Sequence, residues 1–201
     1  MDTIEVIKNW IENGSEVLDL GCGDGEILNI LSCELGATTL GIEINQDDIN
    51  KCIQLGVNVI QQDIDAGLDN FSDKSFDTVI MSQTIQVLKE PKQALSEVTR
   101  IGKESIVTIP NFGFWSTRFS LLFSGKMPVT SSLPDDWHDT PNIHLCTIKD
   151  FEMLCTQCEI NIGEKRFFNN SGRESALAKL IPNLFASVSY THLTLPTILR
   201  V

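Results

Sequence analysis

Three glycines at alternate positions, Gly21, Gly23 and Gly25, lie between a short apolar run, Glu16-Val-Leu-Asp-Leu20, and an amphipathic stretch beginning at Glu26. Glycine supplies positive-φ turns and lets a ligand approach bare backbone. A helix start ordinarily favours an anion. Here Asp19 and Asp24 flank the loop, and no Lys or Arg occurs between positions 9 and 50. A diphosphate would meet little countercharge, whereas a cationic or zwitterionic ligand with ribose hydroxyls fits better. Glu43 closes the next apolar run, on the order of 20 residues onward, the distance at which a ribose-binding acid is placed in nucleotide-binding α/β sheets. A carboxylate there can accept two hydrogen bonds from vicinal hydroxyls. Asp63 follows a third run with Ile64 beside it, and that pair can bond an exocyclic amine and pack on a purine face. The structural alternative is a glycine-rich turn that merely joins a strand to a helix.

The elements that must position these groups alternate. Strands are expected at 16–20, 38–43, 57–60, 76–81 and 105–109, and helices at 2–12, 26–35, 47–55, 91–100 and 147–158. A further strand of alternating character is expected over 159–168. Near-continuously apolar strands separated by helices imply a parallel sheet covered on both faces. Right-handed crossovers then give an α/β, doubly wound, mostly parallel sheet, with ligands at the carboxyl edge of its strands.

Residues 111–146 depart from the alternation and read as a lid or binding segment, a short helix plus a long loop. Phe112, Trp115, Phe119 and Phe123 recur on one helical face. Core packing is the first expectation for that face; exposure would mark a partner surface. His138 and His144, with Asp135, Asp136 and Asp139 nearby, are the candidates for a general base, His144 being favoured by the constrained turn Pro141-Asn-Ile-His144. The alternative is that they tie the lid down. Asn111, after the fifth strand, is either a ligand-bonding group or a turn residue.

Composition narrows the class. The 201 residues suit one domain, 42% are hydrophobic, and 15 basic against 27 acidic residues give a net charge of −12. That charge disfavours nucleic acid and anionic membrane as partners. No apolar stretch reaches the ~18 residues of a spanning helix, and Met1-Asp2-Thr3-Ile4-Glu5 lacks the features of a signal peptide. A cytoplasmic location with reduced thiols is expected. Cys155 and Cys158 lie in a helix-like segment without a second pair, so structural cysteines are favoured over a metal or redox site, and no metal is expected. Residues 187–201 contain no acid and form an atypical tail after a domain expected to span 1–186. The tail reads either as an edge strand or as a foreign appendage.

The dinucleotide fingerprint fails because Glu26 stands where the third glycine belongs. Tyr190, the one tyrosine, has no Lys four residues later, so an NAD-dependent oxidoreductase is disfavoured. Asp19-Leu-Gly-Cys-Gly-Asp-Gly25 with Glu43 and Asp63 resembles instead the class I S-adenosylmethionine-dependent methyltransferases. Gly56-Val-Asn-Val-Ile-Gln61, Asp73-Lys-Ser-Phe-Asp77, Pro110-Asn-Phe-Gly113, Met127-Pro-Val129 and Asp139-Thr-Pro-Asn-Ile-His-Leu-Cys-Thr-Ile148 extend the likeness to the MetW (methionine biosynthesis protein W) family over residues 2–186. The resemblance implies a seven-stranded Rossmann-like fold and S-adenosylmethionine as cofactor. It implies cofactor contacts from Asp19, Gly21, Cys22, Gly23, Gly25, Glu43, Ile44, Asp63, Ile64 and Gln83. It implies a role in methionine synthesis that supports homoserine O-acyltransferase, with a small-molecule methyl acceptor left open. A non-catalytic partner that senses the cofactor is the alternative.

Overall fold

The structure, a computed structural model, describes residues 3–130, 133–174 and 176–195. Asp2 of the first expected helix, Ser131 and Ser132 of the expected lid, and the last six residues of the tail lie outside them. The chain alternates α1 (Thr3–Asn9), β1 (Glu16–Leu20), α2 (Glu26–Leu35), β2 (Thr38–Glu43), α3 (Gln46–Leu55), β3 (Val59–Gln61), β4 (Phe76–Ser82), α4 (Pro91–Ile101) and β5 (Gly102–Pro110). There follow α5 (Trp115–Ser124), α6 (Ile148–Gln157), β6 (Asn161–Phe168), α7 (Ala176–Leu180), α8 (Pro182–Phe185) and β7 (Val188–Thr194).

The strands form one seven-stranded sheet in the order β3-β2-β1-β4-β5-β7-β6. β1 to β5 pair in parallel, and β7 runs antiparallel to both β5 and β6. This is the doubly wound, mostly parallel α/β sheet the sequence predicts. Val188–Thr194, within the acid-free tail, is an interior strand of this sheet and not an edge strand.

Alternate residues on each strand feed opposite faces. Leu18, Val79, Met81, Val107 and Ile109 pack with Leu95 and Val98 of α4 and Phe151 and Cys155 of α6. Val17, Ile80 and Ile106 pack on the other face with Ile7, Leu28, Leu31 and Cys52 of α1, α2 and α3. Both faces being covered is why the strands read as continuous apolar runs. All six cysteines are free thiols, and Cys155, fully buried on α6, is pushed up to about 12 by burial. No helix among the described residues is long and apolar enough to cross a membrane. Among them no cluster of three His, Cys, Asp or Glu side chains is placed to hold a metal ion.

Candidate functional site

The sheet order reverses between β1 and β4, and open α/β sheets bind ligands outside the carboxyl ends of the strands at such a point. The loop leaving β1 uses its glycines there. Gly21, Gly23 and Gly25 all have positive φ, at 79, 56 and 81°. Gly25 is also the N-cap of α2 and carries no capping side chain. At Gly21 an added Cβ would stand 2.5 Å from Thr84 Oγ1 and 2.7 Å from Thr84 Cγ2. Left-handed backbone costs an L-residue roughly 1–2 kcal/mol, and Thr84 must also shift. Gly21→Ala is therefore expected to lower stability by about 2 kcal/mol, read as an earlier urea midpoint with an unchanged m-value.

Glu43 at the end of β2 reaches this loop. Its Oε2 accepts from the Gly23 N–H at 2.9 Å, and its Oε1 accepts from the N–H groups of Ile44 and Asn45 at 2.8 and 2.9 Å. One carboxylate thus ties the glycine loop to the turn before α3. Asn45 Oδ1 in turn caps α3 by accepting from Asp47 and Asp48. Ile44 beside it is 60% exposed.

Asp19 behaves differently from a loop-flanking surface acid. By strand alternation it shares the face of Val17, it is 1% exposed, and its Oδ1 has no hydrogen-bond partner among the described residues. Burial first, and the Glu43 charge second, push its carboxyl up to about 7. Cys22, within the loop, is held above the usual thiol range by burial and then by Asp19. Two carboxylates, one buried and incompletely partnered, make the place below the glycine loop receptive to a cation.

Asp63 caps a short 3-10 turn, Ile64–Ala66, and accepts from Asp65 N–H at 2.9 Å; Asp63 is exposed and Ile64 half-buried against the core. Gln83, exposed after β4, holds φ at +51°, an uncommon value for a non-glycine. Its N–H donates to Thr108 Oγ1 at 2.9 Å, which fixes that conformation from β5. Strain maintained by neighbours is a feature of ligand sites.

The remaining candidates come from the segment between β5 and α6. Asn111 is 2% exposed and its amide is spent inside the protein: Nδ2 donates to Ala186 O at 2.7 Å and Asn183 O at 3.3 Å, while Oδ1 accepts from Gly113 N–H at 2.9 Å. That is the turn-residue arrangement. His144 is exposed, and its backbone N–H donates to Gln86 O at 3.0 Å. It borders a cavity of about 250 Å³ with Gln86, Cys146, Asp150 and Phe151. His138 is exposed and packs edge-on with Trp137. A cavity of about 460 Å³ opens at the opposite end of the strands, lined by Glu16, Thr38, Phe71 and Phe76 among others. It brings together none of the predicted residues.

Sequence reasoning passed over Thr84, Thr108 and Cys52. Thr84 packs over Gly21, Thr108 fixes Gln83, and Cys52 donates its S–H to Gly23 O at 3.2 Å. Each comes from a different element, so no local pattern announces it.

The aromatic face expected to pack in the core is instead largely exposed. Trp115, Phe119 and Phe123 are 44, 52 and 78% exposed. The sheet face they were expected to cover is already taken by α4 and α6.

The sheet and its flanking helices have the class I methyltransferase-like fold. A SAM-dependent methyltransferase from Methanosarcina mazei superposes with a TM-score of 0.69 at 19% identity, over 97% of this chain and 99% of that one. The [4+2]-cyclase SpnF superposes with a TM-score of 0.67 at 14% identity, over 96% of this chain and 80% of that one. A fold that carries a cyclase as well as methyltransferases does not by itself name a reaction. More particularly, the chain belongs to the family of methionine biosynthesis protein MetW, whose sequence model matches residues 1–193. A bifunctional methionine biosynthesis protein MetXA/MetW from Rhodopirellula baltica is 32% identical over 92% of this chain. The chain spans only 31% of that relative's length.

Proposed function

We propose that this chain binds S-adenosylmethionine at the glycine loop and, in methionine synthesis, supports a homoserine O-acyltransferase. The observation that carries the cofactor reading is the buried, incompletely partnered Asp19 beside a Glu43 that already holds the loop. The donor set suits the ligand: anionic side chains with bare glycine backbone fit a sulfonium and an ammonium better than a diphosphate. Gly21, Cys22, Gly23 and Gly25 would line its methionine part with Gln83, Glu43 would take the ribose hydroxyls, and Asp63 the adenine amine. Ile44 and Ile64 would supply apolar surface for the purine. Bound there, the cofactor supplies an activated methyl group. The chain's own work is then to orient it and exclude water. His144 at the neighbouring cavity is the group we assign to receive a proton from a small-molecule acceptor.

A second reading is favoured by Asn111, whose amide is committed to the fold, and by the relative named for both MetXA and MetW. In it the chain is a non-catalytic partner and cofactor occupancy is its signal. Titration calorimetry with S-adenosylmethionine and S-adenosylhomocysteine is expected to show micromolar binding; no heat from folded protein would end the cofactor reading. Acyltransferase activity is expected to rise when the chain is added. If Glu43→Ala preserves that rise, cofactor sensing is not the mechanism.

A further inference from the structure

Helix α5 carries an apolar stripe that the fold leaves uncovered. Trp115, Phe119, Leu122 and Phe123 follow the i, i+4, i+7, i+8 spacing of one face and are 44, 52, 74 and 78% exposed. The inward face is spoken for by Thr117, which is 2% exposed. The exposed rings are ordered against one another: Trp115 meets Phe119 edge-on at 6.0 Å, and Phe119 stacks on Phe123 at 5.6 Å with 9° between planes. Single exposed apolar side chains are ordinary, but a contiguous aromatic row marks a contact surface. Large preassembled rings lose little entropy when covered, which is why aromatic residues dominate binding energies.

Charge selects the occupant. Residues 105–134 contain no Asp or Glu in a chain of net charge −12, and carry Arg118 and Lys126. Arg118, on the same helix, donates to the carbonyls of Gly113 and Asn183. Among the described residues neither cation pairs with a carboxylate. A second copy of this chain would oppose like cations across a two-fold axis and add net negative charge to net negative charge. A partner with an aliphatic groove rimmed by carboxylates satisfies both features of the stripe. In the Rhodopirellula relative this chain's match occupies 31% of a polypeptide named for MetXA as well as MetW, so the two functions are carried side by side.

We infer that the α5 stripe is the docking face for the homoserine O-acyltransferase, an inference that rests on the partnership proposed above. The test is biolayer binding of the full chain to the purified acyltransferase from the same organism. The variants are Phe119→Asp with Leu122→Asp, and a control at an equally exposed apolar residue on α3, Ile53→Asp. The double variant is expected to weaken binding at least tenfold while the control binds as the parent does. Phe119→Ser and Leu122→Ser singly, checked by circular dichroism, serve if the double variant unfolds. Parent and α5 variants binding alike would overturn the docking face and leave the partnership standing. A parent that does not bind the acyltransferase at all ends the partnership and the docking face together. Loss of a parental dimer in sedimentation, or of parental binding to anionic vesicles, with acyltransferase binding intact, would overturn the inference in favour of a second copy or a membrane.

Discussion

At pH 8 the ligand-free Asp19→Asn protein is expected to be more stable than its parent, although the residue lies at the centre of the candidate site. Asp19 is 1% exposed with an unpartnered Oδ1, and its carboxyl is pushed from 3.8 to about 7 by burial and by Glu43. The folded chain therefore holds a proton that the unfolded chain releases. Between pH ~4 and ~7 the folded state binds more protons, so stability falls as pH rises, and the cost is complete above the folded value. A displacement of this size amounts to at most about 4 kcal/mol. Asn keeps the shape and removes the charge. The stability difference, variant minus parent, should start near zero at pH 4 and grow to about 2–4 kcal/mol at pH 8, read from urea unfolding at several pH values. A difference that is flat with pH would show that Asp19 titrates normally. The same substitution should weaken S-adenosylmethionine binding, because a bound cation favours the carboxylate. In the parent, affinity should fall by up to about tenfold per pH unit below 7. Gain in stability with loss of affinity separates a residue kept for a ligand from one kept for packing.

The sheet was legible because its strands are buried on both faces. Val17, Leu18 and Leu20 are buried apolar residues broken only by Asp19, and Val79, Ile80 and Met81 form an unbroken apolar run; helix ends at Gly36 and Gly56 are marked by their left-handed caps. Glu43 was legible as a functional acid from its place after a strand, but its second task, holding three backbone N–H groups, depends on where the glycine loop folds back. Asp19 read as charge flanking a loop, and only the strand's alternation turns it inward. The face of α5 was harder still. Its periodicity was visible, yet periodicity does not tell which neighbour is free to cover it, and Phe151 and Cys155 of α6 had already filled the sheet face. α7 and α8, at Ala176–Leu180 and Pro182–Phe185, are too short to show a period. The place of β7 between β5 and β6 is a long-range pairing that no local pattern encodes.

Glu43→Ala is expected to lower S-adenosylmethionine affinity by about 1–3 kcal/mol, roughly 5- to 150-fold, from the loss of charged hydrogen bonds to ribose. The carboxylate also accepts from Gly23, Ile44 and Asn45, so its removal frees the glycine loop as well, and the two causes must be separated. Glu43→Gln does so. Its amide oxygen can still accept from one side of the turn, but its NH₂ cannot accept at all, and the charge is gone. If Gln costs nearly as much affinity as Ala, a charged acceptor for the ligand is what matters. If Gln restores most of it, the residue acts by tethering the loop. If calorimetry finds both variants binding as the parent does, Glu43 is no part of a cofactor site. The Glu43 charge is also the second cause of the raised Asp19 carboxyl. Glu43→Gln should therefore lower the pH at which Asp19 ionises and shrink the stability gained by Asp19→Asn at pH 8. The two substitutions, combined, should fall short of the sum of their separate effects, as residues that share one local field do.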